Sequence, residues 1–234
     1  MASIGTRLQT VKGRIENACA LAGRDVQSVT LLAVSKTQGA QAVREAVECG
    51  QADFGENYVQ EALEKIAALA PLRAQLRWHL IGPLQSNKTR LVAEAFDWVH
   101  TVDRLKIAQR LAEQRPPQLP PLQVCLQVNV SGEASKSGVA PAELPALALA
   151  VAALPRLQLR GLMAIPEPAD DPAAQRAPHH LLAQLLAGLR AQGLALDTLS
   201  MGMSADLESA IAEGATIVRV GTALFGERGL AGAG

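Results

Sequence analysis

The segment Val29-Thr-Leu-Leu-Ala-Val-Ser-Lys36 sets the pattern for the rest of the chain. Val29 through Ser35 is a nearly continuous apolar run, the length of a strand buried on both faces, and a charged residue ends it. A helical pattern follows over Ala40–Cys49, with Gly50 placed as a C-cap. The alternation then repeats. Strand-like segments stand at Asp53–Gly55, Arg77–Ile81, Trp98–Thr101, Leu122–Val130, Leu157–Ala164, Thr198–Gly202 and Thr216–Val220. Helical patterns occupy Tyr58–Leu69, Ser86–Ala95, Leu105–Gln114, Ala142–Ala153, Ala173–Gln192 and Asp206–Ala212. Eight strands alternating with helices imply βαβ units and a parallel sheet, and eight units close into a (β/α)8 TIM-type barrel. The competing arrangement is an open doubly wound sheet. The barrel is favoured because no GxGxxG follows the first strand, and polar residues end nearly every strand rather than one switch point. An extra N-terminal helix, about Ser3–Leu21, is expected to cover the last gap of the barrel, since only fourteen residues follow Val220.

Composition agrees with one barrel domain spanning residues 1–234. Hydrophobic residues make up 49% but aromatics only 3%, so Leu, Ala, Val and Ile must build the core. Lys+Arg and Asp+Glu both number 22, and the zero net charge argues against a nucleic-acid coat or a polybasic membrane binder. The longest apolar stretch, Ala146–Leu154 between Pro145 and Pro155, has nine residues, whereas a membrane span needs roughly twenty. The N-terminus has no apolar signal-peptide core. Cys19, Cys49 and Cys125 show no CxxC spacing and are expected to be reduced core thiols. His179 and His180 diverge on a helix, and His100 lacks a carboxylate at ligand spacing, so no metal site is expected. Arg115–Pro121 and Pro166–Pro178 are proline-rich and read as loops between units. The expectation is a cytoplasmic monomer.

The chemistry-bearing residues stand at strand ends. Only six lysines occur, and one of them, Lys36, closes the first strand. A lysine at the mouth of a buried strand is partly desolvated, which frees its amine lone pair to form a Schiff base with an aldehyde. A snorkelling lysine is the plain alternative. The last two strands lead into Leu199-Ser-Met-Gly-Met-Ser-Ala-Asp206 and Arg219-Val-Gly-Thr-Ala-Leu-Phe-Gly226. Their glycines permit close backbone approach and Ser200, Ser204 and Thr222 offer hydroxyls, as at the phosphate sites of barrel enzymes. Ser204 alternatively caps the next helix. Arg219, inside an apolar strand, needs a partner: a heteroaromatic nitrogen, a phosphate, or a salt bridge with Glu208 or Asp206. An amine, an anion cradle and a strand-eight arginine together suit pyridoxal 5′-phosphate (PLP).

Over nearly its whole length the chain resembles the PLP homeostasis family (the YggS/PROSC family). The matching segments are Ala33-Val-Ser-Lys-Thr37, Phe54-Gly-Glu-Asn-Tyr-Val-Gln-Glu61, His79-Leu-Ile-Gly-Pro-Leu-Gln-Ser-Asn-Lys88, Leu199-Ser-Met-Gly-Met-Ser204 and Arg219–Gly226. The resemblance implies a barrel like the N-terminal domain of alanine racemase, with PLP on Lys36. It implies that Ser200, Gly221 and Thr222 hold the phosphate, that Arg219 faces the pyridine nitrogen, and that Asn57 and His79 line the pocket. One departure is Gln38, where many relatives carry a second lysine, which removes a second attachment point there.

Two function classes compete. One is a PLP-binding protein that buffers the cofactor or delivers it to PLP-dependent apo-enzymes, without turnover. The other is a PLP-dependent amino-acid racemase. The related racemases draw a tyrosine base from a C-terminal β-domain, and the sole tyrosine here, Tyr58, reads as packing or a pocket wall. An arginine at the pyridine nitrogen also weakens the ring as an electron sink. A cofactor-free aldolase-type barrel lacks an obvious acidic partner near Lys36. Lys136, in Ser131–Gly138, is either a second transient PLP site or phosphate steerer, or a solvated loop charge.

Overall fold

The computed structural model describes residues 2–132 and 136–226. Eight strands, Thr30–Val34 (β1), Asp53–Glu56 (β2), Arg77–Leu80 (β3), Trp98–Val102 (β4), Leu122–Gln127 (β5), Leu157–Met163 (β6), Thr198–Ser200 (β7) and Ile217–Val220 (β8), form a closed parallel barrel in chain order. β8 closes onto β1 through the register Thr30↔Ile217 to Ala33↔Val220. The helices are Ile4–Leu21 (α1), Ala40–Glu48 (α2), Val59–Ala68 (α3), Thr89–Ala95 (α4), Leu105–Gln114 (α5), Leu144–Ala152 (α6), Pro172–Ala191 (α7), Leu207–Ala212 (α8) and Thr222–Phe225 (α9).

Period-two alternation divides the strand side chains into two layers. Leu31, Ala33, Phe54, Trp78 and Leu80 belong to the large core under the helices, while Leu32, Val34, Ile81 and Ile217 form a small separate cluster with Trp98 inside the barrel. The inner layer is unusually polar: His79, His100, Ser200 and Arg219 are all buried. Gly55 makes room for it, since a Cβ there would stand 3.1 Å from Ile81 and 3.2 Å from Leu32.

α1 fills the outer ring where the helix after β8 would lie, because only the four-residue α9 follows that strand among the described residues. It packs on α8, α9 and α2, burying Leu8, Val11, Ile15, Ala18 and Cys19. Ser3 caps it through the Thr6 N–H, and Arg14 pairs with Glu208 at 2.7 Å.

Three local expectations need correction. The proline-rich segment Pro166–Pro178 is loop only at its start. Asp171 accepts the Ala174 N–H at 2.8 Å as an N-cap, Pro172 falls in the first turn, and Pro178 is accommodated inside α7. β5 stops at Gln127; Val128 still donates to the Met163 carbonyl at 2.8 Å but forms an isolated bridge with Val139 across the returning loop. Cys49 is exposed at the C-cap of α2, while Cys19 and Cys125 are buried; all three are free thiols. Among the described residues, no helix is long and apolar enough to cross a membrane.

Candidate functional site

The C-terminal ends of the strands surround a cavity of about 550 Å³, within the roughly 300–1,000 Å³ of small-molecule sites. Five residues expected from the sequence line it: Lys36, Asn57, Arg219, Gly221 and Thr222. They are joined by Gln38, Ile81, Ile165, Met203 and Ser204 among others. His79 and Ser200 do not line it.

Lys36 follows β1 on a tightly held turn. The Ser35 hydroxyl donates to Glu56 Oε1 at 2.5 Å, and the Thr37 N–H donates to Glu61 Oε1 at 2.6 Å. Lys65, on α3, ties the two carboxylates together at 2.7 Å each and donates to the Ser35 carbonyl at 2.6 Å. Glu56 is fully buried, and burial pushes its carboxyl above the ordinary range against the opposing pull of Lys65. Thr37 has φ 64°, a left-handed conformation that is costly for a β-branched residue. Two sequence expectations change here. Lys36 itself is exposed rather than desolvated. Acidic groups do stand close by, Glu56 on Ser35 and Glu61 on Thr37, but both are ion-paired to Lys65.

The opposite side of the mouth is built from the loop after β7 and from β8–α9. Asp206 shapes the first: its Oδ1 accepts the Met203 N–H at 2.6 Å and its Oδ2 bonds His179 Nε2 at 2.9 Å. Burial opposes ionisation of Asp206, yet the bonds from His179 and Met203 outweigh it and hold the carboxyl below its usual range. The loop therefore presents Ser204 to the cavity, facing Gly221 and Thr222. Neither the Ser204 nor the Thr222 hydroxyl has a partner among the described residues. Gly221 lies close against β1; a Cβ there would sit 3.3 Å from the Val34 carbonyl oxygen. Asn57 brings a buried Oδ1 with no hydrogen-bond partner to the wall.

Arg219 is buried, and burial lowers its pKa to about 10. Its expected salt bridge does not form: Glu208 pairs with Arg14 and Asp206 with His179. Instead Nη1 donates to the Ser200 carbonyl at 2.6 Å and to Ser200 Oγ at 2.9 Å, and Nη2 donates to the Ala164 carbonyl at 2.8 Å. The Nε–H and one Nη2–H have no partner among the described residues. Ser200 is thus a poor phosphate ligand. Its hydroxyl lies in the barrel interior, bonded to Arg219 and to His100 Nδ1 at 2.7 Å, and Ser204 is the serine at the cavity. His79 is likewise interior, 3.0 Å from His100 Nε2 and 3.1 Å from Asp53 Oδ1, and stacks on Trp98. His100, read from the sequence only as a non-ligand, is the residue the sequence analysis missed. The available signal was a second imidazole at an inward strand position.

Tyr58 is 57% exposed at the N-cap of α3 and is not a cavity wall. Lys136 forms a half-exposed ion pair with Glu167 at 2.5 Å, and positions 133–135 of its loop lie outside the described residues.

A parallel barrel whose mouth joins a strand-end lysine, a hydroxyl-lined loop pair and a buried arginine defines the alanine racemase N-terminal class, and the family model "Alanine racemase, N-terminal domain" matches residues 7–229. At 18% identity, the alanine racemase of Corynebacterium glutamicum shares the fold with TM-score 0.70, over 97% of this chain and 64% of that one. Much nearer are a pyridoxal phosphate homeostasis protein of Pseudomonas aeruginosa, 65% identical over 97% of both chains, and PipY of Synechococcus elongatus, solved with PLP bound. PipY is 41% identical with TM-score 0.82, covering 96% of this chain and 100% of its own. The chain belongs to the family of pyridoxal phosphate homeostasis proteins.

Proposed function

We propose that this protein binds PLP in the barrel mouth as a Schiff base on Lys36 and serves PLP homeostasis as a cytoplasmic monomer. It buffers the cofactor or delivers it to apo-enzymes, without enzymatic turnover. One observation carries the absence of turnover: among the described residues lining the cavity, Lys36 and Arg219 are the only titratable side chains. Racemisation needs a proton removed from one face and returned on the other, so a second base is required.

Bound in this cavity, PLP supplies an aldehyde for the lysine and a pyridine ring able to take up electron density. The exposed Lys36 amine is the nucleophile, presented by the turn that Glu56, Glu61 and Lys65 hold. The Ser204 and Thr222 hydroxyls, with the Thr222 and Ala223 N–H groups at the start of α9, would hold the phosphate beside Gly221. Arg219 would face the pyridine nitrogen with its unpartnered N–H groups and disfavour a protonated ring. Asn57 Oδ1 would accept a hydrogen bond from the bound molecule.

The test is a PLP titration followed by absorbance and borohydride trapping. Wild-type protein should show an imine band and a reduced adduct on Lys36, and Lys36→Ala should lose both while keeping its circular dichroism. An undiminished band in folded Lys36→Ala would overturn the assignment.

A further inference from the structure

A continuous chain of buried polar groups runs through the barrel beneath the cavity, from Asp53 at the start of β2 through His79 on β3, His100 on β4 and Ser200 on β7 to Arg219 on β8. Its hydrogen-bond directions follow from donor arithmetic. Arg219 Nη1 can only donate, so Ser200 Oγ accepts from it at 2.9 Å. The buried Ser200 hydroxyl has His100 Nδ1, at 2.7 Å, as the one acceptor for its proton among the described residues, and takes it if that nitrogen is unprotonated. A neutral imidazole carries its proton on the other nitrogen, so His100 Nε2–H donates to His79 Nδ1 at 3.0 Å. His79 Nε2–H in turn donates to Asp53 Oδ1 at 3.1 Å, which Arg77 also contacts at 2.6 Å. With both imidazoles neutral, the Asp53 carboxylate, which only accepts, fixes this direction along the whole chain. The ends agree with this assignment, one being an obligate donor and the other a carboxylate anchored by a guanidinium. Burial, first of all, holds both imidazoles below the ordinary histidine range, and Arg219 adds to this at His100.

We propose that His100, backed by His79, is a positioning residue for Arg219: the one-way chain keeps the Ser200 hydroxyl oriented as an acceptor and so aims the guanidinium at the cavity. Without an acceptor at His100, the Ser200 proton has to turn toward Arg219 or stay unpaired in a buried site. Either outcome loosens the arginine from β7. The inference deepens the PLP reading by adding two interior histidines to the support of the ring-facing arginine. The hydrogen-bond chain itself is independent of PLP.

Two measurements decide it. In 15N-labelled protein without PLP, the chain requires Nε2–H tautomers for both histidines and a 15N–15N coupling across the His100 Nε2–H···Nδ1 His79 bond. A protonated His100 Nδ1, an imidazolium at pH 7, or no coupling overturns the proposal. The second arm compares His100→Leu with His100→Asn, whose amide oxygen restores an acceptor for Ser200 while cutting the link to His79. The leucine variant should weaken PLP binding about tenfold, the loss of one charge-assisted bond, and shift the imine absorption, whereas asparagine should recover most of both. Folded His100→Leu with wild-type affinity and spectrum overturns the proposal. If His100→Leu does not fold, the coupling and the asparagine variant still decide. If the wild-type protein takes up no PLP, the cofactor reading fails and the coupling alone decides the chain.

Discussion

Lys65 does more for the site than its distance from the cavity suggests. It is 5% exposed at the side chain and is the sole cation within ion-pair distance of Glu56 among the described residues. Removing it leaves a fully buried carboxylate uncompensated, which costs about 3–5 kcal/mol. Lys65→Met should therefore lose stability of that order in urea denaturation, and Lys65→Met/Glu56→Gln should recover much of it. Equal losses in the two variants would contradict the pairing. Asp53 makes a second prediction at this scale. Burial opposes its ionisation, but bonds from Arg77 and His79 prevail and lower its pKa from 3.8 to about 2. Because the folded value is depressed, this stabilisation is complete above about pH 4 and is lost as pH falls through about 2. At neutral pH it amounts to about 2 kcal/mol. Asp53→Asn should show that deficit at pH 7, and the gap to wild type should close between pH 4 and 2. A pH-independent gap would refute this.

At the scale of elements, α1 behaves as part of the barrel rather than as an appendage. Leu8 is fully buried, as is Leu32 in the barrel interior. Leu8→Ala should cost about 2–5 kcal/mol, comparable with Leu32→Ala, and unfold in the same transition. A separate early transition for α1 in fluorescence and circular dichroism would show that it docks independently. The β6–β7 pair sets another limit. A Cβ on Gly161 would run into the Thr198 carbonyl oxygen, a clash with backbone that no rotamer relieves. That contact explains why a glycine stands between Arg160 and Leu162 in β6.

The molecule as a whole combines a lysine at the barrel mouth with a cavity that lacks a second base among its described lining residues. Alanine or serine added to the PLP-loaded protein in deuterated water should therefore exchange its α-proton far more slowly than the ~10 s⁻¹ median of enzymes. Exchange near that rate would restore the racemase reading. Two hydroxyls and the first-turn N–H groups at the mouth further predict that pyridoxal, without a phosphate, binds at least tenfold more weakly than PLP. Equal affinities in a titration would remove the phosphate cradle from the Ser204–Thr222 side.

The chain by itself was enough for the barrel and for most of the cavity rim. Strand length, apolar continuity and helix punctuation are local properties, and in a (β/α)8 fold every strand end reaches the same mouth. Lys36, Gly221 and Thr222 could therefore be placed from their position after a strand and Arg219 from its place inside the last one, while Asn57 came from the family resemblance. What lies across the barrel could not. Whether Ser200 or Ser204 faces the cavity depends on strand direction and on the turn held by Asp206. The partners of Arg219 are 19 and 55 residues away, and His100 meets Ser200 across 100 residues. Such pairings are set by barrel closure and register, which bring inward side chains of non-adjacent strands to hydrogen-bond distance. No local pattern in the sequence encodes them.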